Sequence, residues 1–350
     1  MDNLYDPHID TIPITYTNDG NDGPVSSGGS CDIDETTFEP GMPIMDLQEE
    51  HTSIAISTAF NAYMDIDIGG SDMILVSKDA VHFFVQRSRL LDASNNQFAS
   101  LINPYFYGPL QIPRETLQLT EDALTLNVVL HIIYHISFRL YSPPLEVLLQ
   151  AVKTLGKYGI ALDLYLCPGT FLFDDIVLQM PRQPLEVYIV AAEYDLFELA
   201  RAASGCLLSI SPLSISKPTL LRLNSEYMSM LYNMHISRAN VLQRIVSRQP
   251  DEHEPTSRCG LREYQMMKVA WSATTSHFVL GARPDVSAAL IRNTLESFKY
   301  SLPCTQCQQC VQRRINEVLL KWTITPRTIC RNWRDFFIAL PPKDLQQGST

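Results

Sequence analysis

A change from a strand period to a helix period, within thirty residues, constrains the fold of this chain more than any other feature. Met73 to Val76 and Val81 to Val85 are rich in β-branched and aromatic residues, which is typical of strands. The polar residues 77 to 80 between them suit the turn of an antiparallel hairpin. From Leu90 to Phe98 the apolar spacing becomes that of a helix face, with a break near the middle. The stretch predicts a hairpin that leads into a helical layer.

A third strand and two helices follow this hairpin in the sequence. Leu117-Gln118-Leu119 alternates as a strand does, and Thr120 is predicted to cap a helix whose apolar face extends to Ile133. Ser142-Pro143-Pro144 ends this segment, and Leu145 begins a second helix with a regular apolar stripe. The predicted fold class is therefore α+β, a small sheet flanked by helices.

The rest of the chain is predicted to be helical. Two helices lie between Pro184 and Ser209, and Asp195, with Glu198 three residues later, is predicted to cap the second. Apolar residues have helical spacing over 220–246, 284–300 and 308–322, with Pro284 in a first turn and an exposed polar loop at 248–258. We expect an all-α region packed on the first domain.

The hairpin and its following helix resemble the start of a BTB/POZ domain. The resemblance is carried by an Asp before the first strand, apolar residues in the second strand, and an Arg, a Leu, a small residue and a Phe after it. These are Asp72, Phe83, Val85, Arg87, Leu90, Ser94 and Phe98. Gln86 stands where the family usually has His.

The later helix pair resembles that of the BTB proteins expanded in mushroom-forming fungi, and the resemblance covers roughly residues 58 to 210. The matching positions are Pro184, Leu185, Val187, Tyr188, Ala191, Tyr194, Leu196 and Ala200. The resemblance implies a non-enzymatic protein-protein interaction module that forms homo- or hetero-oligomers. Its hairpin and first helix would form the dimer surface, with Phe60, Tyr63 and Met64 as a candidate dimer face.

The resemblance also implies a candidate partner. Some family members are adaptors that bind a cullin-type ubiquitin-ligase scaffold, partly through a hydrophobic-x-Glu motif after the third helix. The matching segment here, residues 136–142 (ISFRLYS), contains no Glu. Self-association and, secondarily, a cullin-type scaffold are the expected partners.

Charge is unevenly distributed along the chain of 350 residues, whose net charge is −11. No Lys or Arg precedes Lys78, whereas fifteen Asp and Glu residues do, so the remainder is net +4. We predict a disordered acidic tail over 1–51, a BTB-like domain with its following helix pair over 52–210, and a helical region over 211–350. An alternative function is a transcription-linked regulator whose acidic tail contacts the transcription machinery.

Several classes of function are not expected from this sequence. No signal peptide or apolar run of membrane-spanning length is present, so we expect an intracellular protein of the cytoplasm or nucleus, without membrane contact. The excess of +4 is too small to predict nucleic-acid binding. His131 and His135 have metal-ligand spacing, but Ile132 stands where a zinc protease has Glu, and no catalytic motif is present.

Cysteines near the end of the sequence form the only pattern that indicates a metal. Cys304-x-x-Cys307-x-x-Cys310, with Cys330 twenty residues later, offers four thiolates for a tetrahedral structural zinc site. Cys259 and His277 are alternative ligands because the final pair is not a second Cys-x-x-Cys. Alternatively, these cysteines share a helix face without binding a metal, and the protein has no cofactor.

Overall fold

The computed structural model describes residues 54–63, 70–104 and 115–331, which form one four-stranded sheet and a set of helices. The predicted tail at 1–51 and Met64 lie outside the described residues. The strands are β1 (Ala55–Ile56), β2 (Met73–Val76), β3 (Val81–Val85) and β4 (Glu115–Gln118). The helices are α1 (Arg87–Ala93), α2 (Gln97–Ser100), α3 (Ala123–Ile133), α4 (Leu145–Lys157), α5 (Leu162–Tyr165), α6 (Phe171–Gln179), α7 (Pro184–Glu193), α8 (Phe197–Cys206), α9 (Lys217–Leu220), α10 (Ser225–Ser247), α11 (Leu261–Leu280), α12 (Ala288–Tyr300) and α13 (Thr305–Ile324).

The sheet has the order β1-β3-β2-β4 and is built on the predicted hairpin. The bounds of β2 and β3 are confirmed, and the two strands pair antiparallel with Met73 opposite Val85. β4 pairs parallel to β2, and it begins two residues before the strand predicted at Leu117. The two-residue strand β1, which was not predicted, pairs parallel to β3. The edge strands β1 and β4 therefore each run parallel to a neighbour in the buried antiparallel pair of β2 and β3.

The helix starts differ from the sequence prediction because the local polar groups have other partners. α3 begins at Ala123, and the Asp122 carboxylate accepts a hydrogen bond from Thr125 N at 2.7 Å, so Asp122 rather than Thr120 is the cap. Thr120 Oγ1 instead accepts a hydrogen bond from Lys157 Nζ at 2.9 Å. The cap therefore lies two residues later than predicted.

Two other predicted helix starts are also wrong. Asp195 has a φ of +54° and accepts a hydrogen bond from Tyr227 Oη at 2.7 Å, so it does not cap α8. α12 begins after Ser287, whose hydroxyl accepts from Leu290 N at 3.1 Å, and Pro284 lies before the helix. A contact with a distant segment takes Asp195 out of the capping role, whereas at α12 another local residue, Ser287, supplies the cap.

The short element α2 is a left-handed turn, and the contacts around it link the end of α1 to the end of α4. Residues 97–100 all have φ between +55° and +61°, although none is glycine. Ser94 Oγ accepts a hydrogen bond from Phe98 N at 2.7 Å and donates to Tyr158 O at 2.6 Å. The Phe98 ring stacks on the Tyr158 ring at 3.9 Å. These contacts offset a conformation that costs L-residues roughly 1–2 kcal/mol each.

Two hydrophobic cores are arranged along the long helix α10. The first core contains the sheet, helices α3 to α8 and the first half of α10, as far as Met234. The second core contains the half of α10 from Val241 onward together with α11, α12 and α13. The two cores therefore meet inside α10, and α11 was not among the predicted helices.

The segment after α13 returns to the first core and joins the two halves. Ile329 is buried in the first core, and its N–H donates to Ser204 Oγ of α8 at 3.0 Å. Between the two cores, the buried Arg238 guanidinium donates to the Thr325 and Pro326 carbonyls, both at 2.7 Å. Within the described part of the chain, no helix combines the length and apolar character needed to cross a membrane.

Candidate metal centre

Two segments that are distant in sequence meet at one end of the second core. The first is the loop between α10 and α11, which carries His253 and Cys259. The second is the start of α13, where Cys304 is the residue before the helix and Cys307 lies in its first turn. The ligand atoms of these four side chains all lie within 4.8 Å of one another.

The separations between the donor atoms are those of a four-ligand site. His253 Nε2 lies 3.3 Å from Cys307 Sγ and 3.5 Å from Cys304 Sγ. Cys259 Sγ lies 3.5 Å from Cys307 Sγ. With Zn–S bonds of about 2.3 Å and Zn–N bonds of about 2.05 Å, a tetrahedron has edges of roughly 3.6–3.8 Å. The cluster needs only small adjustments to enclose such an ion.

Hydrogen bonds orient the imidazole of His253 toward the thiols. Its Nδ1 lies 2.7 Å from Glu254 O, an acceptor that fixes the ring proton on Nδ1 and leaves the lone pair on Nε2. Tyr264 Oη, in the first turn of α11, lies 3.3 Å from Nδ1 and donates to His253 O at 2.9 Å. Metal-binding histidines are commonly oriented in this way by a second set of contacts.

The thiols differ in their acidity because of the start of α13. The N–H of Cys307, which donates to the Cys304 sulfur, lowers the pKa of the Cys304 thiol to about 7, although burial opposes the shift. Burial raises the pKa of the Cys307 thiol and that of the Cys259 thiol. Cys304 is therefore the most acidic of the three thiols in the cluster.

The cluster is largely shielded from solvent. Cys259 and Cys307 are buried, and His253 and Cys304 are half-buried. An open groove of about 650 Å³ runs beside it, but His253 is the only one of the four donors that lines this groove. The sulfur atoms therefore face one another rather than an open cleft, an arrangement that suits a closed structural site better than nucleophilic catalysis.

Only half of the predicted ligand set takes part in this cluster. Cys304 and Cys307 belong to it, whereas Cys310 and Cys330 do not. Cys310 is buried one turn further along α13, where its sulfur accepts a hydrogen bond from Arg313 Nη2 at 3.2 Å. Cys330 packs against the second core beyond the end of α13. With a rise of about 1.5 Å per residue, Cys310 lies roughly 9 Å along the helix axis from Cys304, which is too far for both thiols to join one small site.

The remaining two donors were missed or only partly foreseen. Cys259 was an alternative ligand in the sequence analysis, and His253 was assigned to an exposed polar loop. His277, the other alternative, lies on the exposed side of α11. A His six residues before a Cys is a weak signal by itself, and it becomes informative only beside the Cys-x-x-Cys pair.

The residues that resemble the BTB signature lie in or next to the first core. Phe83, Val85, Leu90 and Phe98 are buried there. The Asp72 carboxylate accepts a hydrogen bond from Arg87 N at 2.7 Å, and the Arg87 side chain forms an ion pair with Glu115. These contacts join the hairpin to α1 and β4.

Of the candidate dimer-face residues that the structure describes, one is buried in the core and one is exposed. Phe60 is buried, and its ring packs against Phe83 and His131, so it belongs to the core rather than to a free surface. Tyr63 is 91% exposed. His131 is buried and His135 lies beyond the end of α3 with a φ of +57°, so the pair does not share one helix face.

Comparison with known proteins gives no match. No family model, curated protein or solved structure is similar to the chain at the level required for a match.

Proposed function

We propose that this protein is a BTB-like protein-protein interaction module that associates with itself and has no enzymatic activity. The observation that carries the proposal is the strand pairing. A tight antiparallel hairpin, β2 and β3, is extended by β4 parallel to β2, and the helical hairpin α3–α4 follows directly. This order of elements is the one implied by the resemblance of the sequence to the BTB family.

Contacts of the signature residues support the proposal. Asp72 and Arg87 are joined through the carboxylate and the N–H, which places the start of α1 against the start of β2. Gln86, at the position of the usual His, is held through its N–H, which donates to Tyr134 Oη at 2.8 Å. The backbone position is therefore fixed without an imidazole.

Exposed apolar residues beside the hairpin support self-association. Ile54, directly before the edge strand β1, is 52% exposed, and Tyr63, seven residues after β1, is 91% exposed. β1 lies at the edge of the sheet, where a strand that is not covered can pair with another chain. A second copy of the chain is the partner that covers this side in the proposal.

A cullin-type scaffold is the second proposed partner. The segment at 136–142 contains Leu140, which is 89% exposed. It adjoins a groove of about 440 Å³ that includes Ile136, Phe138 and Leu172. An apolar groove beside an exposed Leu is a suitable site for a partner helix.

Light scattering coupled to gel filtration tests the proposal on the full chain. We expect a mass of two chains at tens of micromolar, and Tyr63→Glu is expected to shift the mass to one chain. Leu221→Glu is the matched control, because Leu221 is 88% exposed but lies near the start of α10. A single-chain mass for the unaltered protein over this concentration range would remove self-association from the proposal. Binding of a cullin N-terminal domain, with and without Leu140→Glu, tests the second partner separately.

A further inference from the structure

The loop between α10 and α11 has an unusual distribution of exposure. From residue 251 to residue 259, every side chain is exposed except those of His253 and Cys259. Between residues 251 and 258 no apolar side chain anchors the loop to the second core, although Pro250 just before this stretch is buried. Both of its inward-facing side chains are ligand types that metals prefer, and both point at the same pair of cysteines.

We propose that His253, Cys259, Cys304 and Cys307 bind one Zn²⁺ ion, which fastens this loop to the start of α13. The inference stands on the donor set and its geometry, and it is independent of the interaction function proposed above. Cys259 and Cys307 are 48 residues apart in sequence, so the ion closes a long segment that contains α11 and α12.

The donor set favours zinc over other metals. Three thiolates and one imidazole suit a borderline-soft ion, whereas Mg²⁺ and Ca²⁺ require oxygen ligands. Four protein ligands complete a tetrahedron and leave no position for water or substrate. The site is therefore structural rather than catalytic.

The hydrogen bonds around His253 and Cys259 also hold these two side chains in the orientation that a zinc site requires. Glu254 O accepts the Nδ1 proton of His253, so that Nε2 is free to bind the metal. Tyr264 Oη holds the backbone of His253 from the first turn of α11. Gly260 N donates to Glu263 Oε2 at 2.8 Å, which fixes the start of α11 next to Cys259.

The first experiment uses the unaltered full chain purified from zinc-supplemented cells without chelator. Elemental analysis is expected to give about one zinc per chain, and X-ray absorption at the zinc edge is expected to give three sulfur atoms and one nitrogen. Four sulfur atoms would overturn the ligand assignment. The absence of bound zinc, iron in its place, or a disulfide between Cys259 and Cys307 would overturn the proposal itself.

Paired variants test which cysteines bind the metal. Cys304→Ser and Cys259→Ser are expected to lower zinc content from about one per chain to near zero. Cys310→Ser and Cys330→Ser are the matched controls and are expected to retain it. Loss of zinc in either control would contradict the proposal. Because a ligand variant can misfold, the absorption spectrum of the unaltered protein reconstituted with Co²⁺ gives a second reading, with the visible bands of a tetrahedral thiolate site expected.

Discussion

His253 Nε2 lies 3.3 Å from Cys307 Sγ although the two residues are 54 positions apart in the sequence. The first belongs to an exposed loop, and the second is a buried residue in the first turn of α13. Their proximity joins the two ends of the segment that holds α11 and α12. We therefore expect the stability of the C-terminal helices to depend on this contact.

Removal of the metal is expected to lower thermal stability. A strong chelator should decrease the melting temperature of the full chain by about 5–10 °C, because the ion binds only the folded arrangement of its ligands. Differential scanning calorimetry, with and without added zinc, measures the change. The Cys304→Ser variant should show the lower melting temperature with no further response to chelator. An equal response in that variant would show that the effect does not arise at this site.

The hydroxyl of Tyr264 is expected to tune zinc affinity. Tyr264→Phe removes the hydrogen bond to His253 O, and we expect zinc to bind about 10-fold more weakly at an unchanged stoichiometry. Competition with a chromophoric chelator measures the affinity. Tyr232→Phe, at an exposed position of α10, is the matched control and should leave the affinity unchanged. Equal affinities in both variants would show that the hydroxyl does not orient the ligand.

Glu121 is expected to make stability depend on pH in the acid range. Its carboxylate accepts hydrogen bonds from Tyr158 Oη at 2.6 Å and Lys157 Nζ at 2.5 Å. Burial raises the pKa of Glu121, but these two hydrogen bonds outweigh it and hold the pKa below its ordinary value of 4.5. The stabilisation is therefore present above pH 4.5 and is lost as the pH falls through the lowered pKa.

Glu121→Gln tests this dependence. We expect a loss of about 1–3 kcal/mol in the free energy of unfolding at pH 7, and a smaller difference from the unaltered protein near pH 3. Urea unfolding at both pH values measures it. Glu198→Gln, which removes an exposed ion pair with Arg201, should cost less than about 0.5 kcal/mol. A difference that grows as the pH falls would contradict the assigned sign.

Arg238 is expected to stabilise the contact between the two cores through the planar arrangement of its guanidinium donors. It donates to the carbonyls of Pro284, Thr325 and Pro326 and lies over the Trp322 ring. Burial lowers the pKa of Arg238 to about 10, so the group stays charged at neutral pH. Arg238→Lys keeps the charge but loses the planar set of donors, and we expect a cost of about 2 kcal/mol by urea unfolding. The exposed Arg201→Lys should be neutral, and an equally small effect at Arg238 would show that charge alone is needed.

Gly159 is expected to resist substitution because of a contact as well as its backbone angle. Its φ is +68°, and a Cβ there would lie 2.5 Å from Asn96 Cγ. Gly70 has a φ of +63°, and no atom of the described residues lies within 4 Å of a Cβ there, so Gly70→Ala measures mainly the cost of the angle. We expect Gly159→Ala to cost about 1–2 kcal/mol more than Gly70→Ala in urea unfolding. Equal costs would show that Asn96 moves away freely.

The sequence by itself determined the features that depend on neighbouring residues. The bounds of β2 and β3, the start of α4 at Leu145, and the break after Glu193 all follow from apolar periodicity, turn residues and proline. The proximity of the Cys304 and Cys307 thiols was also predictable, since the two residues are three positions apart at the start of one helix. Short-range physics was sufficient for each of these.

Only the tertiary structure decided the features that depend on distant segments. Asp195 does not cap α8, because its carboxylate accepts a hydrogen bond from Tyr227 of α10. The parallel pairing of β4 with β2 brings together two strands that are separated by a long segment of the chain. His253 and Cys259, rather than Cys310 and Cys330, lie beside Cys304 and Cys307 because the packing of α11 and α13 brings the loop to the start of α13. Such contacts form when segments far apart in the sequence pack into the two cores along α10. The residues around each position do not show which distant segment it will meet.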